Sequence, residues 1–133
     1  MVMAAPSLLR QTLYRSNKLV VRRSSRHRWG VFALEPIEAY ELLEEAPYVV
    51  VPQEQIDAAP ICEVYSYGFD DRSVVIGFGF AGLYNHAAEP NSDYELDRVN
   101  EVMRHYALRS IAAGEELTLD YGDDNVERYG LSA

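Results

Sequence analysis

The stretch at residues 77–91 constrains the fold of this 133-residue chain more than any other. It reads Gly-Phe-Gly-Phe-Ala-Gly-Leu-Tyr-Asn-His-Ala-Ala-Glu-Pro-Asn, so glycine alternates with aromatic residues before an Asn-His pair and a Pro-Asn pair. Glycine is costly in a helix or a central strand because it loses the most backbone entropy on folding. The three glycines indicate that backbone here passes close to another group, and we interpret the segment as the wall of a site.

The rest of the chain predicts a mainly β domain of many short strands. Residues 64–69 and 74–76 flank the polar turn 70–73, which is typical of a hairpin. Residues 116–121 alternate strictly, with Leu117, Leu119 and Tyr121 on one face and polar residues on the other. No segment has twelve residues of clean helical periodicity. Further strands are predicted at residues 19–21, 29–34, 48–51 and 102–108.

Charge is unevenly distributed along the chain. Residues 1–34 hold seven basic side chains and no acid, whereas residues 35–133 hold all 21 acidic residues and five arginines. An acidic body repels nucleic acid and attracts cationic partners, although it serves solubility equally well. We expect one domain at residues 17–133, preceded by a partly ordered leader at residues 1–16.

Several classes of chemistry find no support. The single cysteine, Cys62, excludes an internal disulfide and a tetrahedral thiolate zinc site. His27, His86 and His105 lack metal-ligand spacing, so no metal is expected. No Gly-Lys-Ser/Thr follows the glycines as a phosphate-binding loop requires. No apolar run approaches the ~20 residues that cross a bilayer.

Three motifs remain, in a fixed order: Arg28-Trp29-Gly30, then Asn85-His86 followed by Pro90-Asn91, then Gly-Glu-Glu-Leu-Thr-Leu-Asp-Tyr-Gly at residues 114–122. The ordered set resembles the SET-domain protein lysine methyltransferases over roughly residues 19–122. The small free-standing bacterial and viral members look most similar. The resemblance implies a mainly β, β-clip-like SET-domain fold of several short sheets, with a C-terminal pseudoknot.

The same resemblance implies an activity and a partner. The family transfers a methyl group from S-adenosyl-L-methionine to the ε-amine of a lysine in a protein or peptide. The acidic body suits a basic protein or peptide substrate such as a histone-like protein, and we expect no nucleic acid and no membrane to be involved. We expect a cytoplasmic protein if the host is bacterial, and a nuclear or other location if it is eukaryotic or viral.

Site roles follow from the family motifs. Tyr121 occupies the catalytic tyrosine position, and the pseudoknot would place it beside Asn85 and His86. The cofactor-binding residues implied are Arg28, Trp29, Gly30, Asn85 and His86. Trp29 has the alternative of being plain core, and Asn91 is expected mainly to stabilise its turn. The candidates for the substrate channel are Tyr65, Tyr67, Tyr84 and Tyr129.

Departures from the family pattern keep an alternative open. Arg28 stands where the family has glycine, and Ala87 stands where it has serine. These changes favour a non-catalytic interaction module that binds cationic partners through its acidic face. No cysteine follows Gly122, so the zinc-bound C-terminal flap of many members is not expected. With few residues left to close the channel, we expect a homodimer.

Overall fold

The computed structural model describes residues 12–122 and residue 125 of the chain. These residues form nine strands, two short helices and one 3₁₀ turn at Ala81–Leu83, which confirms the mainly β prediction. None of the described helices is long and apolar enough to cross a membrane. The elements are β1 (Leu19–Arg23), β2 (Trp29–Ala33), β3 (Leu42–Pro52), α1 (Gln53–Asp57), α2 (Pro60–Glu63), β4 (Ser66–Gly68), β5 (Ser73–Gly77), β6 (Asn85–His86), β7 (Ser92–Asp97), β8 (Val102–Ala107) and β9 (Glu116–Leu119).

The strands form two sheets, one with the order β1-β2-β9-β6 and one with the order β4-β5-β3-β8-β7. Strand β3 is longer than predicted because it changes partner at Pro47. Its first half, from Leu42 to Pro47, pairs with β8, and its second half, from Tyr48 to Pro52, pairs with β5 on the other edge. Pro47 lies at the change of partner, where a residue without an N–H to donate is tolerated inside the strand.

The insertion of β9 positions the site. Strand β9 pairs antiparallel with β2 and parallel with β6, where Asn85 lies opposite Thr118 and His86 opposite Leu119. This is the contact that the predicted pseudoknot requires. On the predicted polar face, however, Thr118 is buried along with Leu117 and Leu119. A strand covered on both faces loses the simple relation between alternation and exposure.

The hairpin prediction at residues 64–76 is confirmed, since β4 and β5 pair antiparallel. Strands β6 and β7 were not predicted. β6 is only two residues long, and β7 carries three acidic residues that are typical of turns rather than strands. β7 is an edge strand, and acidic side chains are tolerated on a solvated edge.

Part of the expected leader is attached to the domain. Residues 1–11 lie outside the described part of the chain. The Ser16 amide donates to Leu43 O at 2.8 Å, the Glu45 amide donates to Tyr14 O at 2.7 Å, and Arg15 forms an isolated bridge with Glu44. Residues 14–16 therefore add to the edge of β3. The boundary at residue 17 stays a prediction.

His105 on β8 is completely buried, with 0% exposure, in an aromatic part of the core. Its ring stacks on Tyr84 at 4.2 Å between centroids with an interplanar angle of 4°. Its Nε2 lies 3.1 Å from the Tyr67 hydroxyl. That hydroxyl has one proton, which it donates to Ala81 O, so Nε2 of a neutral His105 is the donor in this pair. Burial lowers the pKa of His105 to about 3.

The buried His105 makes stability depend on pH. Between its folded pKa of about 3 and its ordinary value of 6.5, only the unfolded chain binds a proton. Stability is therefore lost as the pH falls through this window. We expect His105→Phe to reduce stability at pH 7 by about 1 kcal/mol, because Tyr67 loses a hydrogen-bond partner. Between pH 7 and roughly pH 4.5, the free energy of unfolding of the wild type should fall by about 3 kcal/mol more than that of the variant. Urea denaturation at both pH values measures this, and parallel losses in the two proteins would contradict it.

Candidate active site

Two cavities meet at Tyr121. The larger, of about 390 Å³, lies against the loop before β2 and against β6. The smaller, of about 90 Å³, lies against β4, the start of β7 and the end of β9. Both are lined by Val64, Tyr65, Gly82 and Tyr121. The larger is also lined by Arg23, Arg26, His27, Arg28, Trp29, Leu83, Asn85 and His86.

The Asn85 side chain ties the loop before β2 to β9. Its Nδ2 lies 3.1 Å from His27 O, 3.0 Å from Trp29 O and 2.8 Å from Glu116 Oε2. The Glu116 carboxylate also accepts from the Ser24 hydroxyl at 2.7 Å. These bonds connect residues far apart in sequence, so they hold one side of the larger cavity together.

The Arg28-Trp29-Gly30 turn works with a side chain in place of glycine. Arg28 has φ +43°, in the left-handed region that favours glycine, so the turn carries some backbone strain. A Cβ on Gly30 would lie 2.1 Å from Glu116 Oε2, which excludes any larger residue without movement. Trp29 is 47% exposed and Arg23 lies 4.6 Å from its ring centroid. Trp29 is therefore not core, and it lines the larger cavity.

His86 and Tyr121 contact each other through a backbone bond. The Tyr121 amide donates to His86 Nδ1 at 3.0 Å, so the imidazole of a neutral His86 carries its proton on Nε2. Arg26 Nη1 donates to His86 O at 3.0 Å, which joins the loop before β2 to β6. The Tyr121 hydroxyl donates to Tyr84 O. Side chain and main chain of Tyr121 are thus both held at the junction of the cavities.

The predicted channel tyrosines are only partly brought together. Tyr65 lines both cavities and Tyr67 lines the smaller one. Burial raises the pKa of Tyr67 well above its ordinary value, so the hydroxyl stays protonated. Tyr84 lines neither cavity: its ring is buried on His105 and its hydroxyl donates to Glu44, so only its carbonyl reaches the junction. Tyr129 lies outside the described residues.

Sequence reasoning missed Tyr94, which lines the smaller cavity with its ring 4.6 Å from that of Tyr67. No signal marked it, because β7 itself was not predicted. It also missed Arg23 and Arg26 as lining residues of the larger cavity. Their basic character in an otherwise acidic protein was the available signal.

The glycines within residues 77–82 allow close contacts that differ from those expected from the sequence. We expected this backbone to pass close to another group in the wall of a site. Instead, a Cβ on Gly77 would lie 2.6 Å from Ala81 Cβ and 2.7 Å from Met103 Sδ, both in the core. Gly79 has φ +64° and its missing Cβ leaves room for Glu44 Oε2, 2.4 Å from that position. Of the glycines at positions 77, 79 and 82, Gly82 alone lines the cavities.

Asn91 does more than stabilise its turn, so that expectation was wrong. Its side chain accepts from the Thr118 amide at 2.9 Å and donates to Glu116 O at 2.8 Å. The amide group therefore pairs with β9 as a backbone peptide would. Within the described residues, no group of three or more His, Cys, Asp and Glu side chains could hold a metal ion.

The SET domain profile matches residues 28–122 of this chain. A Schizosaccharomyces pombe histone-lysine N-methyltransferase, H3 lysine-37 specific, is 32% identical over 108 residues, covering 79% of this chain and 74% of that protein. An Eremothecium gossypii histone-lysine N-methyltransferase, H3 lysine-4 specific, is 33% identical over 125 residues. That match covers 85% of this chain but only 13% of the relative.

A crystal structure from Plasmodium falciparum, of a protein provisionally assigned as a histone methyltransferase, has a similar fold. The TM-score is 0.66 at 29% sequence identity, and the match covers 81% of this chain and 96% of the other. None of these three similar proteins is bacterial or viral. Profile, relatives and fold agree with the motifs at residues 28–30, 85–91 and 114–122, and this chain belongs to the SET-domain family of protein lysine methyltransferases.

Proposed function

We propose that this protein transfers a methyl group from S-adenosyl-L-methionine to the ε-amine of a lysine in a basic, histone-like protein. The observation that carries the proposal is the pair of cavities that share Tyr121. A bisubstrate reaction needs two binding spaces that meet at one reacting point. The larger cavity suits the cofactor, and the smaller suits a lysine side chain.

The lining of the larger cavity fits the cofactor chemically. Its volume of about 390 Å³ lies in the range of small-molecule sites. Arg23, Arg26 and Arg28 offer positive charge to a carboxylate, and Trp29 and Leu83 offer apolar surface to an adenosine group. When bound, the cofactor supplies an electrophilic methyl group on a sulfonium. Asn85 and His86 line the larger cavity and would hold the cofactor there.

The smaller cavity suits a neutral amine. An ammonium has no lone pair for attack, so the lysine must lose its proton first. Aromatic walls from Tyr67, Tyr94 and Tyr121 desolvate the amine, and desolvation lowers a lysine pKa. Tyr121 donates its proton to Tyr84 O, and a hydroxyl oxygen that donates can still accept from an amine N–H. We assign Tyr121 the task of orienting the amine, as one part of an alignment of the two reactants that as a whole can be worth ~7–11 kcal/mol.

The departures that favoured a non-catalytic module leave this geometry intact. Ala87 lacks the serine hydroxyl, yet its amide donates to Leu119 O at 3.0 Å and continues the contact between β6 and β9. Arg28 adopts the glycine-like backbone conformation. The net charge of −9 agrees with a cationic substrate. The relatives named above act on histone H3, which supports a histone-like substrate here.

Tyr121→Phe tests the proposed catalytic role. Removing the hydroxyl should lower kcat by about 100-fold, because the amine loses its orienting partner. Affinity for the cofactor should change little. Transfer of labelled methyl to histone H3 measures the rate. Tyr40→Phe, at an exposed tyrosine that lines neither cavity, is the matched control and should keep wild-type activity. Undiminished transfer by Tyr121→Phe would contradict the assignment.

Asn85→Ala tests the cofactor site. Without the amide, His27 O and Trp29 O lose their bonds to Asn85, and we expect affinity for S-adenosyl-L-methionine to fall about tenfold. Calorimetric titration measures this. Asn100→Ala, in an exposed turn where Asn100 bonds to Asp97, is the control. Absence of cofactor binding by the wild type at millimolar concentration would instead favour the non-catalytic module.

The expected homodimer and the cellular location remain proposals. We expect a molecular mass near twice the 15.1 kDa of one chain by light scattering at high protein concentration. A mass of one chain throughout the concentration range would remove the dimer. Microscopy of the tagged protein in its host decides between a cytoplasmic and a nuclear location.

A further inference from the structure

Glu44 is a buried carboxylate behind the site, with 1% exposure. It lies on β3 beside the register shift between Leu42 and Glu44 in the pairing with β8. Its Oε2 accepts from the Phe80 amide at 2.8 Å, and its Oε1 accepts from the Tyr84 hydroxyl at 3.0 Å. One side chain therefore holds both ends of residues 80–84, which we call the anchored segment.

The anchored segment in turn holds the hydroxyls of two of the four tyrosines that line the smaller cavity. The Tyr67 hydroxyl donates to Ala81 O, and the Tyr121 hydroxyl donates to Tyr84 O. Both acceptors are main-chain carbonyls, so their positions depend on the backbone between Phe80 and Tyr84. A displacement of that backbone would move both hydroxyls.

The surroundings of Glu44 are built to let the carboxylate reach the segment. Gly79 has φ +64°, and a Cβ there would lie 2.4 Å from Glu44 Oε2. The Arg15 guanidinium lies 4.0 Å from the ring centroid of Phe80, the residue that follows Gly79. Burial raises the pKa of Glu44, whereas the Phe80 amide, the Tyr84 hydroxyl and the charge of Arg15 oppose the rise. Arg15 precedes the residues that match the SET domain.

We propose that Glu44 is a positioning residue that orients Tyr67 and Tyr121 through the anchored segment. It touches neither cavity, and it acts through the carbonyls of Ala81 and Tyr84. Its effect on methyl transfer rests on the proposed function, whereas its effect on the two tyrosine hydroxyls does not. Loss of the Glu44 carboxylate should therefore lower kcat for methyl transfer more than it lowers affinity for the cofactor.

Glu44→Gln is the first test. The glutamine oxygen can still accept from the Phe80 amide, but the amide nitrogen cannot accept from the Tyr84 hydroxyl. Glu45→Gln is the matched control, because Glu45 is also buried, at 3% exposure, on the same strand. Its carboxylate pairs with Arg104 Nε at 3.0 Å and with the Tyr14 amide at 3.0 Å. Both variants lose a buried charge, but only one alters the anchored segment.

The readout independent of activity is NMR of the chain labelled with ¹³C at tyrosine Cζ, which reports hydrogen bonding of each hydroxyl. The Tyr67 and Tyr121 signals are assigned from the spectra of their Phe variants. We expect both signals to shift in Glu44→Gln and to stay in place in Glu45→Gln. We also expect kcat to fall about tenfold in Glu44→Gln, with a change below about threefold in cofactor affinity.

Each outcome decides one part of the proposal. Unmoved Tyr67 and Tyr121 signals in a folded Glu44→Gln protein would overturn the positioning role, whatever the activity. Shifted signals in Glu44→Gln, alongside a wild type that transfers no methyl group, would reject the proposed function and leave the anchoring intact. Shifted signals with an unchanged kcat would reject the catalytic consequence.

Tyr84→Phe keeps the test decisive if Glu44→Gln fails to fold. It removes one of the two bonds to Glu44 while keeping the aromatic ring on His105. We expect the Tyr121 signal to shift more than the Tyr67 signal, since Tyr84 supplies the carbonyl for Tyr121. Tyr106→Phe, which removes a hydroxyl near Asp93 on the neighbouring edge strand, is its control. Equal spectra for the two variants at Tyr121 would overturn the proposal.

Discussion

The parallel pairing of β9 with β6 is the contact on which the site depends. It places Asn85 opposite Thr118 and His86 opposite Leu119, so residues from two distant parts of the chain become neighbours. Tyr121 follows directly after β9, and its amide donates to His86 Nδ1. Without this pairing, the loop before β2, the Asn-His pair and Tyr121 would have no common surface. Parallel strands need a long connection, and residues 87–115 supply it here.

A strand inserted between two others must satisfy its polar groups away from water. Asn91 uses its side-chain amide as a peptide substitute for Thr118 and Glu116, and the Ser92 hydroxyl donates to Thr118 O at 2.6 Å. Leaving such groups without partners would cost roughly 1–3 kcal/mol each. The Pro-Asn of the second motif is therefore a structural support for β9, and the site residues Asn85 and His86 benefit from it indirectly.

Local patterns predicted the strands whose side chains alternate or are β-branched, namely β1, β2, the second half of β3, β8, β9 and the hairpin at residues 64–76. They failed where tertiary contacts decide the exposure of a residue, as at Thr118, and where an edge strand is acidic, as in β7. The three ordered motifs predicted that Asn85, His86 and Tyr121 would meet. They carried no information about Tyr94, or about Tyr84 being directed into the core by Glu44, because those positions depend on which side chains happen to pack together.

The linings of the two cavities carry opposite charge, although the domain as a whole is acidic. Arg23, Arg26 and Arg28 surround the larger cavity, whereas Asp120 is the charged residue of the smaller one among the described lining residues. A cofactor that presents a carboxylate and a substrate that presents an ammonium would each be attracted to the opposite charge. The basic cluster precedes the acidic body in sequence, and the β1-β2 hairpin folds it onto the larger cavity. Separation of charge along the chain thus becomes separation of charge between the two cavities, with Tyr121 at their boundary.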